Sequence, residues 1–218
     1  MVSNEKGDKM ENVQKIVLGK EHRVNSYIIE NNKECFIIDP GFEKNKLINY
    51  VKDNNLIVKA ILLTHAHLDH IGSIDAFNVP VYLHEEEYSV LLDDELNCFA
   101  HHTTNREYEF KDINIKKLKD GDKLLLGGRE IEVIHTPGHT VGGACYKDGN
   151  NLYTGDTLFW GTVGKWIFPT GNQEQMKSSI IKLIDSMPEE VGVYPGHGRS
   201  STIGIEKEQN KYYLEWKK

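Results

Sequence analysis

Cysteine is scarce in this chain of 218 residues: Cys35, Cys98 and Cys145 are its three. They stand far apart and make no C-x-x-C pair. The odd count and wide spacing favour reduced thiols in a cytoplasmic protein over a disulfide framework. Cys35 and Cys145 fall inside strand-like runs and read as core residues. Long apolar runs are also missing. A membrane helix needs about 20 apolar residues, and Lys59 already interrupts the best short candidate, so no membrane association is expected. Residues 1–12 carry Glu5, Lys6, Asp8, Lys9 and Glu11 and lack the apolar centre of a signal peptide. They read as a flexible tail ahead of one domain over 13–218. Positive charge is short as well, with 26 Lys and Arg against 33 Asp and Glu, net −7. Nucleic-acid phosphates want a basic surface, so nucleic acid is not an expected partner. There is no G-x-S-x-G motif to suggest a serine nucleophile, no internal repeat and no low-complexity linker.

Histidine is what the chain has. Thr64-His65-Ala66-His67-Leu68-Asp69-His70 packs three histidines and an aspartate into one loop. The apolar run Val58-Lys59-Ala60-Ile61-Leu62-Leu63 before it reads as a buried strand, and Ile71 to Phe77 after it as a short helix. In extended chain, residues two apart face one way, so His65 and His67 can grip one ion. Asp69 and His70, where the chain turns, can grip a second. Imidazole and carboxylate suit zinc, iron or manganese. Three more candidates sit at strand ends beside glycine or proline: His139 in Thr136-Pro137-Gly138-His139, Asp156 in Gly155-Asp156-Thr157, and His197 in Pro195-Gly196-His197-Gly198.

The remaining pattern alternates strands and helices. Val13–Leu18, Val24–Glu30 and Cys35–Asp39 read as a meander, with turns at Gly19-Lys20-Glu21 and Asn31-Asn32-Lys33. Lys44–Lys52 reads as a helix, Val79–Leu83 as a strand and Glu85–Leu92 as a helix with an acidic first turn. Asp93 to Phe110 has no clear period and holds His101, His102 and Arg106; a loop near the cleft is one reading of it, and the paired histidines read as solvated rather than catalytic. Ile113–Leu118, Lys123–Leu126 and Arg129–His135 form a second run of strands. Val141–Lys147 and Asn151–Gly155 read as a hairpin. Asn172 caps a helix over Gln173–Ser186, with Met176, Ile180, Ile181 and Ile184 inward. Val191–Tyr194 is the last expected strand, and Thr202–Leu214 a closing helix.

In this order, the ligand candidates resemble those of the metallo-β-lactamase superfamily, over about Val13 to Glu206. A narrower likeness is to short, single-domain relatives of hydroxyacylglutathione hydrolase (glyoxalase II). It rests on Gly155-Asp156-Thr157-Leu158-Phe159, on Gly161-Thr162-Val163-Gly164-Lys165, and on Pro195-Gly196-His197-Gly198 with Ser201-Thr202-Ile203-Gly204. The resemblance implies an α+β fold, an αββα four-layer sandwich. It implies that His65, His67 and His139 hold one divalent ion and Asp69, His70 and His197 a second. Asp156 would bridge the two, and zinc is the first choice of metal. Lys165 matches the lysine with which glyoxalase II grips a substrate carboxylate, while Ile167 stands where a tyrosine is common.

The chemistry that follows is hydrolysis. A water shared by two ions about 3.5–4 Å apart has its pKa lowered towards about 7 and supplies a nucleophile at neutral pH. Asp69 can accept its proton, and Asp69 and Asp156 are the expected catalytic carboxylates. Lys165 is the expected substrate anchor, and Trp166, with Trp160, an expected wall of the cleft. The expected substrate is a small-molecule thioester such as S-lactoylglutathione. The alternatives are a mononuclear-iron persulfide dioxygenase using His65, His139 and Asp156, another superfamily hydrolase (lactonase, lactamase or nuclease), and a metal-binding protein without turnover.

Overall fold

The computed structural model describes residues 13–19, 23–104 and 106–218. The expected tail over 1–12 and the turn at Lys20 and Glu21 lie outside the described residues. Six strands form a first sheet in sequence order: β1 (Val13–Leu18), β2 (Val24–Asn31), β3 (Glu34–Ile38), β4 (Ile57–Leu62), β5 (Val81–His84) and β6 (Ile115–Leu118). The meander β1 to β3 is antiparallel, and β3 to β6 run parallel. A second sheet holds β7 (Lys123–Leu126), β8 (Arg129–His135), β9 (Ala144–Asp148) and β10 (Asn151–Gly155). A ribbon of β11 (Leu158–Phe159) and β12 (Thr162–Val163) follows. Then β13 (Gly192–Pro195) and β14 (Ser201–Thr202) complete the second sheet, in the order β14-β13-β10-β9-β8-β7.

Alternation along the strands makes three cores rather than one. In β2 and β3, Ile28, Cys35 and Ile37 face outward onto the helices α1 (Lys44–Asp53), α2 (Leu68–Ile71) and α3 (Tyr88–Leu92). Their neighbours Tyr27, Ile29, Phe36 and Ile38 face inward, against Ile131, Val133, Tyr146 and Tyr153 of the other sheet. Side chains one apart on a strand point to opposite faces, so two-sided burial demands such continuous apolar runs. The outer face of the second sheet, with Ile134, Cys145, Leu152 and Val193, packs on α4 (Gln173–Ser186), α5 (Ile203–Gln209) and α6 (Lys211–Trp216). The layers are therefore helix, sheet, sheet, helix, the expected α+β αββα sandwich. Cys35 and Cys145 are fully buried in the two outer cores.

Several elements differ from the sequence reading in ways that bear on the site. The helix expected over Ile71–Phe77 instead spans Leu68–Ile71 and contains Asp69 and His70. It stops at Gly72, which lies directly against the Phe42 ring; a Cβ there would come within 2.4 Å of it. The 14-residue α4 has the expected bounds and the expected cap, Asn172 Oδ1 accepting from the Gln175 amide at 3.0 Å. Leu183, not Ile181, completes its buried stripe. Val191–Tyr194 is followed by one more short strand, β14. The closing helix is broken at Asn210, whose side chain caps α6 by accepting from Tyr212 and Tyr213. No helix among the described residues is long and apolar enough to cross a membrane.

Candidate metal centre

Five strands end at one edge of the sandwich, and each delivers a polar residue there. Asp39 follows β3, His65 and His67 follow β4, His139 follows β8, Asp156 follows β10 and His197 follows β13. Cross-sheet hydrogen bonds hold these ends in register. Ala144 N donates to Thr64 O at 2.8 Å, and Asn25 N to Gly196 O at 2.7 Å. Tyr146 Oη donates to Leu63 O and Tyr27 Oη to Pro195 O, each at 2.8 Å. Two glycines permit the close approach. Gly155 has a φ of +48°, and a Cβ on it would lie 2.2 Å from Thr64 Oγ1. A Cβ on Gly196 would lie 2.6 Å from Asp156 Oδ1.

The seven expected ligands converge. Ligand atoms of His65, His67 and His139 lie within 4.8 Å of one another, as do those of Asp69, His70 and His197, and those of His65, His70 and Asp156. Asp156 stands between the two groups. Its Oδ2 is 3.6 Å from His139 Nε2, while its Oδ1 is 3.4 Å from both His70 Nε2 and His197 Nε2. Asp69 Oδ2 lies 3.1 Å from His197 Nε2.

The far side of four of the five rings is already engaged; His67 instead turns Nδ1 towards His139 Nε2, at 2.9 Å, and leaves its own Nε2 without a partner. His70 Nδ1 donates to Asp39 Oδ2 at 2.8 Å, and His65 Nδ1 meets Thr64 Oγ1 at 3.1 Å. His139 Nδ1 donates to Lys165 O and His197 Nδ1 to Arg23 O, both at 2.6 Å. A hydrogen bond at Nδ1 fixes the tautomer that leaves Nε2 bare for a metal. The buried Nε2 atoms of His65 and His70 and the Oδ1 of Asp156 have no hydrogen-bond partner. Buried polar atoms without partners are costly, and these three are aimed into the cluster. The donor set therefore fits divalent cations.

The electrostatics say the same. Burial pushes the His65, His67 and His139 rings down, His67 to about 3, with the neighbouring imidazoles adding to it for His65 and His67. Burial opposes charge on His197 too, but the carboxylates of Asp156 and Asp69 outweigh it and hold it at about 10. His70 is likewise held well above its ordinary value, against burial, by Asp69 and Asp39. Without a metal, protons on these two histidines balance the buried carboxylates. Ions must displace them, because ligands bind deprotonated. Metal uptake at pH 7 is accordingly expected to release protons, and affinity to climb as pH rises towards about 10. Calorimetry of zinc binding in two buffers of different ionisation enthalpy reads this directly. A binding heat independent of buffer would contradict it.

Two residues outside the expected set complete the frame. Asp39 is buried at a φ of +50° and also accepts from Thr64 N and Thr64 Oγ1, at 2.8 and 2.7 Å. Its Asp-Pro-Gly setting reads in sequence only as a strand terminator. Glu87 is fully buried, and its two oxygens accept from Ala66 N at 2.8 Å and Gly142 N at 2.9 Å. It thus ties the loop of His65 and His67 to the loop of His139. The signal for it was its place three and four residues before the buried Val90 and Leu91, on the inward face of a helical turn.

A cavity of about 360 Å³ opens over the cluster, lined by Leu68, Cys98, His102, Phe159, Lys165 and Phe168 besides the ligands. His102 is exposed, as expected, and also lines this cavity, because the irregular segment after α3 folds back over α2; Asn97 O accepts from Leu68 N at 2.9 Å. His101 stays exposed beside Glu95, and Arg106 pairs with Asp94. Trp166 does not line the cavity. Its ring packs on Tyr212 and Trp216 at 5.7 and 5.8 Å, because the break at Asn210 sets α6 beneath it. Trp160 lies exposed at the turn of the β11–β12 ribbon.

The fold and this cluster define a class. The profile of the metallo-beta-lactamase superfamily matches residues 19–197, and the chain belongs to that superfamily. A crystal structure of the BLEG-1 B3 metallo-beta-lactamase superposes with a TM-score of 0.85 at 36% identity, covering 92% of this chain and 99% of that one. TTHA1623 in a di-iron-bound form gives 0.79 at 32% identity, over 91% and 99%. Hydroxyacylglutathione hydrolase GloC of Haemophilus influenzae is 33% identical over 196 residues, 86% of this chain and 91% of that protein.

Proposed function

We propose that the protein is a dinuclear metal-dependent hydrolase of thioesters. The observation that carries the dinuclear reading is Asp156, one oxygen facing His139 and the other facing His70 and His197. His65, His67 and His139 would hold one ion, Asp69, His70 and His197 the other. Bound ions supply a Lewis acid and a water of lowered pKa. Asp69 lines the cavity. In the metal-free protein burial pushes its carboxyl up, but the His70 charge and a His197 hydrogen bond outweigh that and keep it ionised; beside bound ions it would be the carboxylate placed to accept a proton from the water. Phe159 and Phe168 line the cavity and give it apolar walls. Likeness to GloC supports a thioester substrate, and likeness to TTHA1623 supports two ions with iron as an alternative to zinc. A mononuclear dioxygenase would leave the convergent Asp69, His70 and His197 without a task.

The test is a metal count alongside a hydrolysis screen of thioesters, lactones, lactams and phosphodiesters. About two ions per chain with preference for thioesters is the expected result. One iron with oxygen uptake, or cleavage of lactams alone, would overturn it. Lys165 gives a finer check. Its side chain lines the cavity with no ion pair among the described residues, while its carbonyl holds His139. Lys165→Ala is expected to keep its metals and raise KM for S-lactoylglutathione several-fold, the worth of an exposed ion pair of about 1 kcal/mol. Binding made equally in ground and transition states leaves kcat alone. An uncharged thioester should show no change, and equal loss on both substrates would remove Lys165 as the anchor.

A further inference from the structure

Lys165 belongs to the His139 side of the cavity, since its carbonyl accepts from His139 Nδ1. The His197 side carries a second cation. Arg199 lies two residues beyond His197, and its guanidinium carbon sits 3.4 Å from the centroid of the Trp160 ring. Trp160 adjoins Phe159, which lines the cavity with its ring 6.1 Å from that of His197. The Arg199–Trp160 stack therefore adjoins two residues that line the cavity, Phe159 and His197.

Both members of the stack stand on rigid supports. The ribbon turn under Trp160 is pinned by Gly161 N donating at 2.8 Å to Glu206, a fully buried carboxylate. Asn210 Nδ2 then ties Glu206 Oε2 at 2.8 Å to Thr162 O at 2.9 Å. Beneath Arg199, Gly198 O accepts from Lys15 Nζ and from Asn25 Nδ2, each at 3.0 Å. Several cations of this acidic chain are paired with carboxylates: Lys44 with Asp75, Lys59 with Glu34, Arg129 with Asp148. Arg199 has no such partner among the described residues. A guanidinium over an indole is held by cation–π attraction, and its N–H groups can still offer a fork to an oxyanion.

We infer that Arg199, laid over Trp160, is a second oxyanion anchor for the substrate. It takes a carboxylate or a phosphate on the thiol half of the thioester, in addition to the carboxylate assigned to Lys165. This rests on the thioester reading for the identity of the substrate, but not for the binding of the anion.

The experiment measures binding of unreactive probes to zinc-loaded protein by calorimetry: S-methylglutathione with two carboxylates, S-methyl-coenzyme A with phosphates, and uncharged S-methyl-N-acetylcysteamine. The parent should bind one of the two anionic probes more tightly than the neutral one, and which one assigns carboxylate or phosphate. Arg199→Ala should weaken that probe about five-fold and leave the neutral probe, the metal count and the melting temperature unchanged. Arg199→Lys should recover part of the loss, since it keeps the charge without the fork. Equal binding by parent and Arg199→Ala, equal loss on the neutral probe, or a parent with no preference for either anion would each overturn the anchor. Turnover separates the two claims. A parent that cleaves no thioester while Arg199→Ala still weakens the anionic probe ends the hydrolase reading and upholds the anchor.

Discussion

Replacing Asp156 with alanine is expected to strip the protein of metal and of nearly all activity. The side chain is almost enclosed and divides its oxygens between the two histidine groups at 3.4 to 3.6 Å. Burial pushes its carboxyl up, yet the facing imidazoles of His197 and His70 outweigh that and hold it well below the ordinary carboxylate range. An anion is therefore available to both ions at any working pH. Without it each ion loses a ligand, and the positive charges face each other unscreened. Changes to residues behind the ligands cost roughly 10–100-fold in affinity or activity; loss of a shared ligand should cost more. Elemental analysis beside thioester turnover reads both effects. A variant that keeps about two ions and parental kcat/KM would remove Asp156 from the bridging place.

Glu87→Ala should be the most destabilising change that touches no ligand. Its two oxygens satisfy two buried amides, one on each ligand loop. Each amide left without a partner costs about 1–3 kcal/mol, and the vacated space adds to it. A total of about 2–5 kcal/mol should lower the melting temperature of the metal-free protein by on the order of 10 °C. Glu87→Gln keeps the volume but turns an amide donor towards a donor, so it should fall between parent and alanine. The pH dependence has a definite sign. Burial raises the Glu87 carboxyl from 4.5 to about 7, against the pull of the Ala66 and Gly142 amides. Its contribution is full below pH 4.5 and is lost as pH rises through about 7. Glu87→Gln should flatten stability across that window. Parental melting of both variants would show that Glu87 clamps nothing.

Much of the site was legible in the chain because metal ligation is local chemistry. His65, His67, Asp69 and His70 sit within one turn of chain, and ligands of this type have few other reasons to cluster. The strand ends bearing His139, Asp156 and His197 were marked by glycines that a close approach requires. The helix over Gln173–Ser186 was marked by its cap and its apolar stripe. Period and cap are properties of neighbouring residues, so sequence alone fixes them.

What tertiary structure alone decided is which residues stand behind the ligands. Asp39 reaches His70 across 31 positions of chain and Glu87 reaches Gly142 across 55. In sequence one looks like a turn and the other like surface acid. Trp166 looked like a cleft wall and became part of an aromatic pack on α6. The reason is physical. A side chain's role depends on what the rest of the fold sets against it, and only the packing of two sheets and their helices determines that.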